Sequence, residues 1–346
     1  VCILLERGKG KVIEIIRQRN GDILKTQLQV PVSFHIFNRP ESTRRVFEQI
    51  RKAQPSRLFV TADGPRTDRP DDVEKCAQTR SIIDDIDWDC ELTTFFSDTN
   101  DGSFRSTSGG ITRVFEHVDR AIILEDDCIP HETFFRYCHE LLDYYENDTR
   151  VALIAGNNFL ESENYTSYSY YFSRYTHMWG WATWKRTWDQ LDFSMSNWPA
   201  FRDMGGLKTC FDKKHEIAYW HDIMQGMYQG ERGPHWDYLL ILSMYMNNTL
   251  AVKPAANLIT NTGFDEDATH FSHKTRVHDV QQSEMGFPLR HPPFVCRHPL
   301  ADDHVECRIF SMGAGEHMQR KVAGLLPERV FSILQSAKRG LIGRKR

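Results

Sequence analysis

From Val30 onward, short apolar runs alternate with amphipathic stretches, the order that builds an α/β sheet. VPVSFHIF at 30–37 predicts a first strand, closed by Asn38-Arg39-Pro40. A helix follows, with Ser42 or Thr43 as N-cap and Val46, Phe47 and Ile50 on one face. RLFVTAD at 57–63 reads as the second strand, with Asp63-Gly64-Pro65-Arg66 as its loop. Residues 70–85 read as helix and CELTTFF at 90–96 as a third strand. The polar stretch SDTNDGSFRSTSGG, 97–110, reads as a loop leading into a helix, ITRVFEHV. AIILEDD at 121–127 has the apolar run of a strand buried on both faces and stops abruptly in three acids.

After Pro130 comes an amphipathic helix, ETFFRYCHELLDYYEN, and then the strand VALIAGNN at 151–158. An aromatic-rich stretch at 165–198 and a mixed one at 199–235 precede the helical run WDYLLILSMYMNN. LAVKPAANLIT at 250–260 is the last predicted strand. Ahead of Val30, residues 11–29 have the pattern of a hairpin around Asn20-Gly21. The expected organisation is therefore an N-terminal extension at 1–29, a main α/β domain at 30–305 and a tail at 306–346. In such a sheet, ligands gather at the carboxyl ends of the strands.

Composition narrows the class. With 40% hydrophobic and 26% charged residues, the chain has the profile of a globular protein. A net charge of -4 gives no global attraction to nucleic acid, and none is expected as a partner. No apolar run approaches the roughly 18–20 residues that cross a bilayer. Val1 to Asn20 is charged and lacks the apolar stretch of a leader. The eight cysteines are scattered rather than spaced as a disulfide framework, and Cys296, His298, His304 and Cys307 lack zinc-site spacing. A reducing, cytoplasmic setting is the expectation.

The strongest chemical signal is Glu125-Asp126-Asp127. Adjacent carboxylates repel one another unless a cation or a donor-rich ligand neutralises them. A hard cation, Mn²⁺ or Mg²⁺, brought with a nucleotide diphosphate suits such oxygen ligands. Strand alternation would put Glu125 and Asp127 on one side and Asp126 on the other. The competing reading is a solvated acidic turn. Arg39 and Asp63 each end a buried strand, where a guanidinium and a carboxylate could read base and ribose. The stretch 100–110 could approach phosphates by its amides, although neither a Gly-Lys-Ser/Thr nor a G-x-G-x-x-G motif is present. YTHMWGWATWKRTW, from Tyr175 to Trp188, could stack on sugar rings, or its aromatics could simply fill the core. His235-Trp236-Asp237 opens a helix, where an acid also serves as a cap. His270 follows the last strand and could return to a metal or diphosphate.

Taken in order, these pieces resemble the inverting glycosyltransferases of the GT-A fold, most closely the N-acetylglucosaminyltransferase I type. The resemblance runs from about Val32 to Phe271, and its most specific element is AIILEDDCIPHETFFRYCHELL. It implies a mixed sheet flanked by helices. It also implies metal binding by Asp127 and His270, and donor contacts from Arg39, Asp63, Glu125 and Asp126. By the same resemblance Asp237 is the general base, and Trp179, Gly180, Trp181 and Trp236 face the acceptor. The family often has two acids after the tryptophan, whereas Tyr238 follows Asp237 here. The implied partners are a nucleotide-diphosphate sugar, with UDP-sugars favoured, and a glycan or lipid-linked acceptor.

The rival readings are a sugar nucleotidyltransferase and an inactive glycan-binding relative. The former usually has a basic glycine-rich phosphate loop, which is missing around Asn38. From Arg320 to Arg346, eight Lys/Arg accompany a single acid, Glu328, and Val330, Ile333, Leu334, Ala337 and Leu341 recur at helical spacing. Such a basic amphipathic helix can lie on an anionic membrane; a solvated or packing helix is the alternative.

Overall fold

The computed structural model describes residues 27–160, 165–263 and 280–310. Its centre is an eight-stranded mixed sheet with helices on both faces, so the chain is of the expected α/β class. The N-terminal half runs β1 (Val32–Ile36), α1 (Pro40–Ala53), β2 (Arg57–Ala62), α2 (Asp72–Ser81), β3 (Glu91–Phe96), α3 (Gly102–Phe115) and β4 (Arg120–Glu125). A short β5 (Cys128–Pro130) leads to α4 (Thr133–Tyr144) and β6 (Val151–Ala155). Then come β7 (Tyr170–Ser173), β8 (Trp181–Trp184) and four helices, α5 (Lys185–Trp188), α6 (Trp198–Asp203), α7 (Leu207–Cys210) and α8 (Lys214–Tyr228). α9 (Trp236–Met246), β9 (Leu250–Pro254), β10 (Ile259–Asn261) and α10 (Pro299–Arg308) complete the described chain.

The sheet order is β3-β2-β1-β4-β8-β6-β9-β7, with β5 and β10 forming a separate antiparallel pair. β3, β2, β1 and β4 are parallel, so the loops after them share one rim. β8 runs antiparallel between β4 and β6. Alternation along the strands divides the core. Val32, Phe34, Leu58, Val60, Ile122 and Leu124 face a layer containing α1 and α4. Phe59, Ala121, Ile123 and Leu153 face another built on α3, α8 and α9.

Several boundaries differ from the pattern reading. α1 begins at Pro40, an N1 proline, rather than at Ser42 or Thr43. Ser42 is thereby released for the site below, and Thr43 is buried. Helix α3 starts at Gly102, so most of the polar stretch at 97–110 is helical. Its serines, threonines and glycines include Thr107, Ser108 and Gly110, which are buried against the sheet. A Cβ at Gly110 would come within 2.5 Å of Thr61 Oγ1, and only glycine allows that approach. The aromatic stretch conceals two strands, β7 and β8, and the last predicted strand divides into β9 and β10. α10 carries the described chain past residue 305, docking on β7 where Asp302 accepts from Ser173 Oγ at 2.5 Å and Arg174 Nε at 3.2 Å. Most of the predicted hairpin and the basic tail lie outside the described residues. No helix among the described residues is long and apolar enough to cross a membrane.

Candidate functional site

β4 ends at Glu125, and Asp126-Asp127 form a turn into β5, so the turn rather than strand alternation aims the two aspartates. Asp126 turns toward the end of β1. Its Oδ2 accepts from the Phe37 amide at 2.9 Å and its Oδ1 from Arg39 Nη1 at 3.0 Å. The same guanidinium nitrogen donates to Asp127 Oδ2 at 3.2 Å. Arg39, expected to read the nucleoside, is thus the internal cation of the acidic turn. Ser42 Oγ donates to the Asp126 carbonyl at 2.7 Å and meets Thr262 Oγ1 at 2.9 Å. The Thr262 amide donates to the Asp127 carbonyl at 2.8 Å, tying the chain after β10 to the acids. At Gly263, a Cβ would stand 2.0 Å from Asp127 Oδ2. Asp127 is cradled against bare backbone.

One guanidinium does not balance three carboxylates. Burial pushes the Glu125 carboxyl well above its usual range, and the charges of Asp127, Asp126 and Asp237 add to it. Burial also pushes Asp126 up to about 6, against the pull of Arg39. Arg39 is held above its usual range, because Asp126 and Asp127 outweigh the cost of its burial. Asp237, in the first turn of α9, is close enough for its charge to act on Glu125. Asp126 and Asp127 of the turn and Asp237 of α9 therefore all lie within electrostatic reach of Glu125. Negative charge gathered on one rim favours a cation or a cation-carrying ligand.

Asp63 takes a different part. Its Oδ1 accepts from the amides of Gly64 at 2.9 Å and Asp101 at 2.8 Å. Its Oδ2 accepts from Asn100 Nδ2 and the Gly102 amide, both at 3.0 Å. A carboxylate has about four acceptor sites, and here all are occupied. Asp63 orders the 97–102 loop and the start of α3, where it was expected to read ribose. Two of the amides expected to approach phosphate, those of Asp101 and Gly102, are spent on it. Asn38 and Arg66 likewise converge on buried Asp72, at 2.7 and 2.6 Å, and the Arg66 hydrogen bonds hold that carboxyl down to about 2.

The tryptophans divide. Trp181 is 0% exposed and its ring stacks on Trp236 at 5.9 Å, so both serve the core beneath α9. Trp181 offers no face to an acceptor. Gly180 has φ +60°, and a Cβ there would lie 2.4 Å from Ile259 Cδ1. Its glycine is required by backbone conformation and packing. Trp179 is only partly buried, with Phe159 edge-on at 5.0 Å. The β4–β8 register ends with Ile123 opposite Trp181, so Trp179, two residues before β8, lies toward the carboxyl end of β4. Trp179 is therefore the aromatic on the acidic rim. His270 lies outside the described residues.

No family model and no curated protein matches this sequence. Among solved structures, one similar chain is 4-diphosphocytidyl-2C-methyl-D-erythritol synthase from Anaerococcus prevotii DSM 20548. It is 10% identical with a TM-score of 0.28, over 47% of this chain and 74% of that one. Another is UDP-glucose pyrophosphorylase complexed with UDP-glucose, 8% identical with a TM-score of 0.27, over 47% and 79%. At these values neither assigns an activity.

Ser42 was expected only as an N-cap, and Thr262 and Gly263 were given no role at the acids. They carry no charge and lie far from the acids in the chain; the β5–β10 pairing brings Thr262 and Gly263 to them, and α1 brings Ser42. A separate cavity of about 420 Å³ lies between α6 and α9, against Phe201, Leu239, Leu242 and Met246. None of the predicted site residues lines it.

Proposed function

We propose that this chain is a metal-dependent glycosyltransferase that moves a sugar from a nucleotide-diphosphate donor, a UDP-sugar by preference, to a hydroxyl of a glycan or glycolipid. The observation that carries the reading is the convergence of Glu125, Asp126, Asp127 and Asp237 on the rim formed after β1 and β4. Its donor set fits a hard cation. Among the described residues no three His, Cys, Asp or Glu side chains form a metal cage. Mg²⁺ and similar ions at phosphate sites need only one or two carboxylates, the diphosphate and water supplying the rest. Asp127, cradled at Gly263, would hold the ion, with Glu125 beside it. Bound there, the cation would offset charge on the departing diphosphate.

The chain's own residues supply the remainder. Asp237 takes the proton from the acceptor hydroxyl as that oxygen attacks the anomeric carbon. Attack opposite the leaving group inverts that centre. Arg39 and Ser42 hold the acidic turn in place, and Trp179 offers a ring face for the acceptor. A nucleotidyltransferase would instead need a basic cradle for a triphosphate after β1. Here that loop is short, and its arginine is paired to Asp126 and Asp127.

The test is calorimetry with UDP and UDP-sugars, with manganese and with chelator, followed by transfer assays. Manganese-dependent binding is expected. Asp237→Asn should retain it while losing at least a hundredfold in turnover. Unchanged turnover would remove Asp237 as base, and absence of any nucleotide binding would favour a glycan-binding module.

A further inference from the structure

Lys253, in β9, pairs with Tyr171 of β7 and is 4% exposed. Its ammonium makes one hydrogen bond, Nζ to Asn157 Oδ1 at 3.3 Å, and no carboxylate lies within ion-pair distance among the described residues. Asn157 is fully buried, and its Nδ2 has no hydrogen-bond partner among the described residues. His177 completes the group. Burial and the Lys253 charge hold its imidazole well below the usual range, so it is neutral near pH 7. Phe159 meets His177 edge-on at 4.8 Å, and Phe310 stacks on it at 5.3 Å. Burial alone brings Lys253 down to about 7, the mark of an ammonium with no counter-charge.

A buried ammonium is costly unless paired, and a buried amide without a partner adds to that cost. Fold stability gives no reason to keep both, since an apolar side chain in place of Lys253 would serve a core better. The site's position supplies a reason. Phe159 touches both His177, at 4.8 Å, and Trp179, at 5.0 Å, so the group lies next to Trp179. β4 and β6 flank β8, so the strand end leading to Asn157 lies about two strand spacings, about 10 Å, from the end of β4, with Lys253 on β9 one strand further.

We propose that Lys253, Asn157 and His177 form an anion subsite, taking a carboxylate or phosphate borne by the acceptor glycan, with Trp179 between it and the reacting centre. The unused ammonium and amide donors would bond the anion's oxygens, and its charge would complete the pairing. Only the word acceptor rests on the transferase reading; anion binding stands apart from it.

The experiment is calorimetry on the full chain in chelator, with glucose, glucuronate and glucose 6-phosphate as probes. At least one acid is expected to bind ten times more tightly than glucose, and which one does identifies carboxylate or phosphate. Lys253→Met should lose that tenfold preference, as should Lys253→Gln, which keeps a donor without the charge. Both should melt at or above the wild-type temperature. Acids binding no better than glucose, or equally well to both variants, would overturn the subsite. UDP with manganese is titrated in parallel. Its binding should survive in the variants, whereas its absence from the wild type, with acids still bound, would sink the transferase reading and leave the subsite standing.

Discussion

Arg39 holds Asp126 and Asp127 with a single guanidinium nitrogen, and this contact determines what each acid can do. Asp126 also receives the Phe37 amide and is nearly closed off. Asp127 keeps more of its surface and faces the bare backbone of Gly263, which is why the proposed cation is assigned to it. Removing the arginine would leave Asp126 buried with an amide and no counter-ion. Arg39→Ala is expected to lower the unfolding free energy by about 2–3 kcal/mol, since breaking one side of a buried pair strands the other. Manganese with UDP should recover much of this, read as a larger thermal shift than in wild type. An undiminished melting temperature in chelator would show that the pair adds little.

At the level of elements, the site is made where the end of β4, its turn and the chain after β10 are stitched together. The Asp127 carbonyl accepts from Thr262, and Ser42 of α1 spans Asp126 and Thr262. The narrowness of that seam gives a direct test. A methyl group at position 263 would collide with Asp127 Oδ2, so Gly263→Ala should turn the carboxylate away. Manganese-dependent UDP affinity is expected to fall at least tenfold, with circular dichroism and melting temperature nearly unchanged. Affinity equal to wild type would move the cation site away from Asp127. The strand AIIL and its acids were legible because a doubly buried strand ending in three carboxylates is uncommon. The role of Asp63 was not. From sequence it is one acid in a turn, and only the folded loop shows its oxygens filled by Gly64, Asn100, Asp101 and Gly102.

For the molecule as a whole, the parallel half of the sheet presents β1, β2 and β4 to one rim, and antiparallel β8 returns Trp179 to that rim. The basic tail at 320–346 supplies a prediction at this scale. Flotation with vesicles rich in anionic lipid is expected for the full chain, to weaken in high salt, and to be lost on deleting 320–346. Flotation unaffected by the deletion would end the membrane reading. By itself the sequence determined the α/β class, most strands and helices, and the acidic turn, because apolar periodicity and clustered charge are local properties of a chain. Tertiary structure decided which residues the acids meet. Arg39 became their partner instead of a nucleoside's, Trp181 went to the core while Trp179 stayed on the rim, and Lys253 came to lie buried beside Asn157. Those outcomes depend on strand order and register, which bring together residues far apart in the chain.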